Sequence, residues 1–195
     1  MSNNIFELYK DPSYCASVPD ELMVPNWVPP ATRVNLMNCY VRDAMRDPMV
    51  REYAFQFASR DPENVSQSIL DGQNWLLRYG LDCGDGSCEL LRRARLIMRD
   101  GWGDCKKKSI VTAAMMQIVG IPARVVWLHQ QENGMSNNHV AVQMCREGLP
   151  SATAPTAVKV IEPKKSLNCK GQWVWVETTL PGAIVGNDPY QELKR

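Results

Sequence analysis

The sequence predicts an α+β fold in which one apolar helix packs against an antiparallel sheet. Apolar residues recur at helical spacing before residue 120, and the stretches after it alternate with a period of two. Helices gathered before strands point to segregated layers, not to a parallel doubly wound sheet. The change-over falls at Gly120-Ile121-Pro122-Ala123-Arg124, where glycine ends a helix and proline blocks its continuation. A chain of 195 residues, 45% hydrophobic and 22% charged, can bury one core, so a single domain is expected.

Residues 1–31 carry Pro12, Pro19, Pro25, Pro29 and Pro30, which suits an extended arm. Trp27 and Val28 suggest that the arm lies on the domain that fills 32–195. Thr32 can cap a helix with Val34, Met37, Tyr40, Val41, Ala44 and Met45 on one face, and Pro48 should divide it before Val50, Tyr53, Ala54 and Phe57. Asp61-Pro62-Glu63 reads as the next start, with an apolar stripe running to Tyr79 and Gly72 weakening its middle. Residues 81–87 read as a loop, with Ser87 capping a helix from Cys88 to Met98. Asp104 then suits an N-cap for the apolar helix that begins at Cys105. Strands are predicted near 123–129, 138–145, 157–162 and 172–179. Lys170-Gly171 would let the last two pair as a hairpin, residues 148–155 read as a surface excursion, and the tail from Pro181 as loop.

A formal net charge of +1, with no basic stripe interleaved with aromatics, gives no reason to expect nucleic acid or a membrane as partner. The first residues lack a basic region followed by an apolar run, and no stretch is long enough to span a bilayer, so a cytoplasmic protein is expected. Seven cysteines without paired framework spacing favour free thiols in a reducing compartment, although a cell-surface or virion role by another export route fits as well. Cys83 and Cys88, with only two histidines in the chain, do not make a zinc site. The spacing of Asp82, Asp85 and Glu89 does not match a calcium loop, so no metal or other cofactor is expected.

Chemistry concentrates at Gly103-Asp104-Cys105. A cysteine in the first turn of a helix feels the positive end of the macrodipole, which favours the nucleophilic thiolate. The bland alternative is a small apolar residue on a core helix. What favours a reactive thiol is the downstream pattern: a histidine opening one strand (His139) and a carboxylate closing another (Glu177) complete the parts of a Cys-His-acid triad.

Gly103-Asp104-Cys105, Gly120-Ile121-Pro122-Ala123-Arg124, His139-Val140 and Trp175-Val176-Glu177-Thr178-Thr179 together resemble the transglutaminase-like superfamily, in particular its small microbial and phage cysteine-peptidase-like members. Trp75-Leu76-Leu77-Arg78-Tyr79 resembles the helix that precedes the cysteine there, so the resemblance covers about 63–180. It implies a papain-like core with Cys105, His139 and Glu177 as the triad, His139 being chosen over His129 because the family's histidine begins an alternating strand. Two departures stand out: the family's acid is usually Asp before Pro-Thr, and Lys106-Lys107-Lys108 replaces acidic or small residues.

The implied chemistry is attack by Cys105 on an amide of a peptide or protein, giving a thioester resolved by water or by an amine. Hydrolysis comes first, transamidation second, and a non-catalytic virion-assembly module is the reading from another class. Oxyanion donors are expected from the Cys105 amide with Trp75 or Gln73. Trp102 and Lys108 are expected at the substrate rim, Lys108 lending it positive charge.

Overall fold

The helix that begins at Cys105 is the centre of the molecule: every residue from Lys107 to Met116 is buried. The computed structural model describes residues 15, 17–83, 89–132, 135–146, 158–163 and 167–187. In chain order the elements are β1 (Glu21–Met23), α1 (Pro30–Ala44), α2 (Pro48–Ala58), α3 (Val65–Leu76), β2 (Arg78–Tyr79), β3 (Leu90–Arg92), α4 (Ala94–Asp100), β4 (Trp102–Gly103), α5 (Cys105–Ile118), β5 (Ala123–Glu132), β6 (Met135–Arg146), β7 (Val158–Ile161) and β8 (Gln172–Val176). Helix α5 packs against α1, α2 and α3 and against β5 and β6, and α1 also packs on β5.

The main sheet is antiparallel with order β7-β5-β6-β8. This corrects the expected hairpin between the strands at 158 and 173: β7 pairs with β5 and β8 with β6, on opposite edges. Alternation then does its ordinary work. Val125, Trp127, Val140, Val142, Met144, Val174 and Val176 join the core under the helices, and Val126, Leu128, Ala141 and Trp175 form a separate apolar cluster. The helix-to-sheet connection is sharp because Gly120 takes φ +87°, a conformation costly for any side chain.

Side-chain caps mark the starts of α2 and α5 but not those of α1, α3 and α4. Pro48 divides the first helical stretch as expected, with Asp47 capping α2 through Met49 N at 2.9 Å. Thr32 is not a cap, since α1 starts at Pro30 behind Pro29. Asp61 caps only a turn, accepting from Glu63 N and Asn64 N, and α3 begins at Val65. That helix stops at Leu76, and residues 78–79 are strand, because the amides of Arg78 and Gly80 on either side of Tyr79 donate across to the carbonyls of Gly101 and Gly103. The helix expected from 88 to 98 is in fact β3 followed by α4. Ser87 and the excursion at 148–155 lie outside the described residues. Among the described residues of the expected arm, Val18, Val24 and Val28 are buried and β1 pairs with β3, whereas Trp27 is exposed.

Gly72 does not merely weaken α3. A Cβ there would stand 2.4 Å from the ring of Phe57 on α2, so the absent side chain is what lets the two helices meet. Gly72→Ala is therefore expected to destabilise the protein by about 1–3 kcal/mol through overpacking, despite alanine's better helix propensity, as read from the urea midpoint.

The free-thiol expectation is overturned. Cys15 is bonded to Cys39 and Cys145 to Cys169, and Cys83 is disulfide-bonded too. Among the described residues Cys105 is the free cysteine. The argument for a reducing compartment falls with it, because structural disulfides persist where the surroundings are oxidising. Among the described residues no helix is long and apolar enough to cross a membrane.

Candidate functional site

Asp104 caps α5 as its sequence position suggests, accepting from Lys107 N at 3.1 Å, so Cys105 stands at the first helical position. The first amides of a helix have no partner within it, which leaves the Cys105 N–H available beside its own thiol. His139 lies in β6 and is hydrogen-bonded to Cys105 on one side. On the other, its Nε2 meets Glu177 Oε2 at 2.7 Å. Glu177 follows the last residue of β8, is fully buried, and is held by Thr179, whose amide donates to Oε1 at 2.6 Å and whose hydroxyl donates to the same oxygen at 2.5 Å.

One residue ties these three elements together. Ser109, a turn below Cys105, donates to the carbonyl of Val140 at 3.3 Å and lies 3.1 Å from the Thr178 hydroxyl. Its two partners are the residues next to His139 and Glu177. The helix face that carries the thiol is thereby docked onto the strand that carries His139 and onto the segment after β8 that carries Glu177.

Burial alone would lower the His139 pKa, but the hydrogen bonds to Cys105 and Glu177, together with their charges, raise it to about 10. Burial would likewise raise Glu177, but the bonds from His139 and Thr179 hold its carboxyl below the usual range. Both shifts favour an imidazolium clamped between its two neighbours.

The three lysines do something other than line a rim. Lys106 Nζ meets Asp104 Oδ2 at 2.6 Å. Lys107 is buried and pairs with buried Asp82, with its ammonium also 4.5 Å from the centre of the Trp102 ring. Lys108 is 2% exposed and donates to Asn74 Oδ1 at 2.8 Å and to the carbonyl of Leu77 at 3.0 Å, which corrects its expected place at the rim. The long stems of residues 107 and 108 thus reach back to fasten 77–82 to the start of α5. Trp102 is partly buried, engaged by Lys107 and paired in β4 with Arg78 of β2.

The two side-chain oxyanion candidates lie in different surroundings. Gln73 is fully buried and its Oε1 accepts from Thr112 at 3.2 Å, seven residues along α5 from Cys105 and hence about 10 Å down its axis. Trp75 is 72% exposed, with the Arg60 guanidinium over its ring. Tyr79 was missed because its apolar spacing assigned it to the preceding helix. It stands instead in β2, paired with Gly103 two residues before Cys105. His129, the other histidine, bonds Asn138 at 2.8 Å through Nδ1. No group of three or more His, Cys, Asp or Glu among the described residues converges as a metal site, and the disulfide at Cys83 takes that sulfur away from any such role.

The titrations predict opposed effects on stability. His139, raised from 6.5 to about 10, contributes stability that is fully present below pH 6.5 and is lost as pH rises through about 10. Lys108, lowered by burial from 10.5 to about 8, works the other way: the unfolded chain binds the extra proton between those values, so stability recovers as pH rises through that window. Glu177 contributes stability above the ordinary carboxyl range that is lost as pH falls through its depressed value. Between pH 8 and 10 the His139 and Lys108 effects partly cancel. Lys108→Met should therefore make the alkaline fall in urea midpoint steeper than in the parent; an unchanged slope would count against the assignment.

A thiol at a helix start, an imidazole within hydrogen-bonding reach of it and a buried carboxylate behind that imidazole come together on an α+β scaffold. Residues 77–183, more than half of the chain and all three of those groups, match the core model of the transglutaminase-like superfamily, and the chain belongs to that superfamily. Among solved structures, that of a candidate protease from Parabacteroides distasonis ATCC 8503 is similar over 76% of this chain and 31% of that one, at 11% identity and a TM-score of 0.47. The chain therefore spans less than a third of that protein's length. No curated protein matches the chain in sequence.

Proposed function

We propose that the protein is a cysteine-dependent amide hydrolase acting on a peptide or protein through a thioester. The observation that carries this reading is the placing of His139, hydrogen-bonded at once to the free cysteine and to a buried glutamate. In this mechanism the Cys105 thiolate attacks the amide carbonyl while His139 holds the proton. The Cys105 N–H at the helix start receives the developing oxyanion. As the tetrahedral intermediate collapses, the C–N bond breaks and His139 gives its proton to the departing amine. The neutral imidazole then takes a proton from water, whose oxygen attacks the thioester and releases the acid with the thiolate restored. Glu177 orients the imidazole throughout and balances its charge.

The longer glutamate replaces the aspartate usual in related sequences, and the two bonds from Thr179 support this assignment by fixing its carboxylate. The purified protein should release product from a panel of peptide and isopeptide amides, and Cys105→Ala should abolish that release. Adding a primary amine to the same reactions separates the outcomes. Hydrolysis yields the free acid despite the amine, whereas incorporation of the amine would make the protein a transamidase. An absence of turnover, with Cys105 alkylated by iodoacetamide no faster than a cysteine peptide, would leave a scaffold that keeps the fold without the reaction.

A further inference from the structure

We propose that Tyr79 is a further catalytic residue, its phenol O–H donating to the carbonyl oxygen of the group that Cys105 attacks. The inference rests on the thioester reading above and assigns the second oxyanion donor, which Gln73, buried against Thr112, is not placed to supply.

Position comes first. Parallel pairing of β2 with β4 sets Tyr79 beside Gly103, with Arg78 N donating to the Gly101 carbonyl at 3.0 Å and Gly80 N to the Gly103 carbonyl at 3.2 Å. The segment is anchored on both sides of the tyrosine. Lys108 grips the Leu77 carbonyl before it, and Lys107 pairs with Asp82 after it. Asp82 also accepts from Leu90 N at 2.8 Å, which ties the end of the segment to β3. A residue fastened in this way to the first turn of α5 keeps its place relative to the thiol.

Environment comes second. In this otherwise fastened segment Tyr79 is 51% exposed, so its ring is open to an incoming substrate. The charges its hydroxyl feels are those of the site: Cys105, Asp104, Lys106 and Glu177. Partial burial, followed by the negative charges of Cys105, Asp104 and Glu177, raises the phenol pKa above 10.0. The group consequently holds its proton at neutral pH and acts as a hydrogen-bond donor, not as a base.

The step balances without proton transfer from the phenol. Sulfur forms its bond to carbon, the carbonyl π pair moves onto oxygen, and Tyr79 donates a hydrogen bond to that oxygen alongside the Cys105 N–H. When the pair returns, the leaving group departs with the proton from His139.

The test compares two reactions of one thiol in the full chain. Acylation by p-nitrophenyl acetate builds an oxyanion, whereas alkylation by iodoacetamide displaces iodide at a saturated carbon and builds none. Tyr79→Phe, which keeps the ring, should slow the acylation burst by about 10²-fold, the usual loss for one oxyanion donor, and leave alkylation within about twofold. Equal burst rates in parent and variant would overturn the assignment. So would a parallel fall in both reactions, because that places the effect on the thiolate and not on the oxyanion. Failure of the underlying reading looks different: the parent itself would then show no burst beyond that of Cys105→Ala, and both proposals would fall together.

Discussion

Replacing His139 with alanine should slow acylation of Cys105 by about 10²–10⁴-fold, the usual contribution of a positioned acid-base group. Two effects combine. The thiolate loses the cation beside it, and the leaving group loses its proton donor. Glu177→Gln should cost less, because the imidazole keeps a neighbour at 2.7 Å but loses the charge that favours its protonated form. His139→Gln is a useful companion, since its amide can still donate to the buried carboxylate and so separates loss of chemistry from the burden of an unpaired Glu177. The rate of p-nitroaniline release from a peptide p-nitroanilide, whose amine needs the proton to leave, read beside the urea midpoint of each variant, checks the ordering. An alanine variant within about tenfold of the parent would remove His139 from the mechanism.

The largest expected loss of stability comes from Lys107→Met, at about 3–5 kcal/mol. Lys107 is 1% exposed and Asp82 is 2% exposed, so removing the ammonium leaves a carboxylate that keeps the Leu90 amide but is almost closed to water. Removing both charges is a different matter. In Asp82→Leu with Lys107→Met no ion is stranded, and most of the loss should return, because a buried pair gives little net stability over apolar groups of similar volume. Urea unfolding of the two single variants and the double variant forms the cycle. Additive losses would mean that the two side chains do not depend on each other.

Which parts of this structure could be read from residues alone follows from how local each signal is. The Asp104 cap, the Cys105 helix and the Gly120-Ile121-Pro122 turn depend on neighbours in sequence, and they stand where the pattern puts them. The strands at 123, 138, 158 and 172 were legible by alternation, but their order was not. A four-residue strand carries no mark of its partner, and β7 went to β5 instead of β8. The cysteines misled for a related reason: separations of 24 residues between bonded partners are set by the fold and have no local signature. The lysines were the hardest to read. Three charges in the first turn of a helix look like a solvated face, and only the acceptors brought in from 74–82 make a buried Lys107 and Lys108 tolerable. Tyr79 was hidden by the same segment, whose helical spacing outlasts the helix.

The bonded cysteines bear on how the protein has to be handled at the bench. Thiol enzymes are ordinarily kept active with a reductant, which protects the nucleophile from oxidation. Here the same additive would attack the bond from Cys145, on the strand of His139, to Cys169, just before the strand of Glu177. It would also release the arm that Cys15 fastens to α1. Each such bond commonly contributes about 2–4 kcal/mol. Preserving the reactive sulfur and preserving the frame that aligns it therefore call for opposite redox conditions, and a preparation stored in strong reductant could have intact Cys105 and yet be silent. Brief, mild reduction followed by desalting before assay is the treatment that respects both.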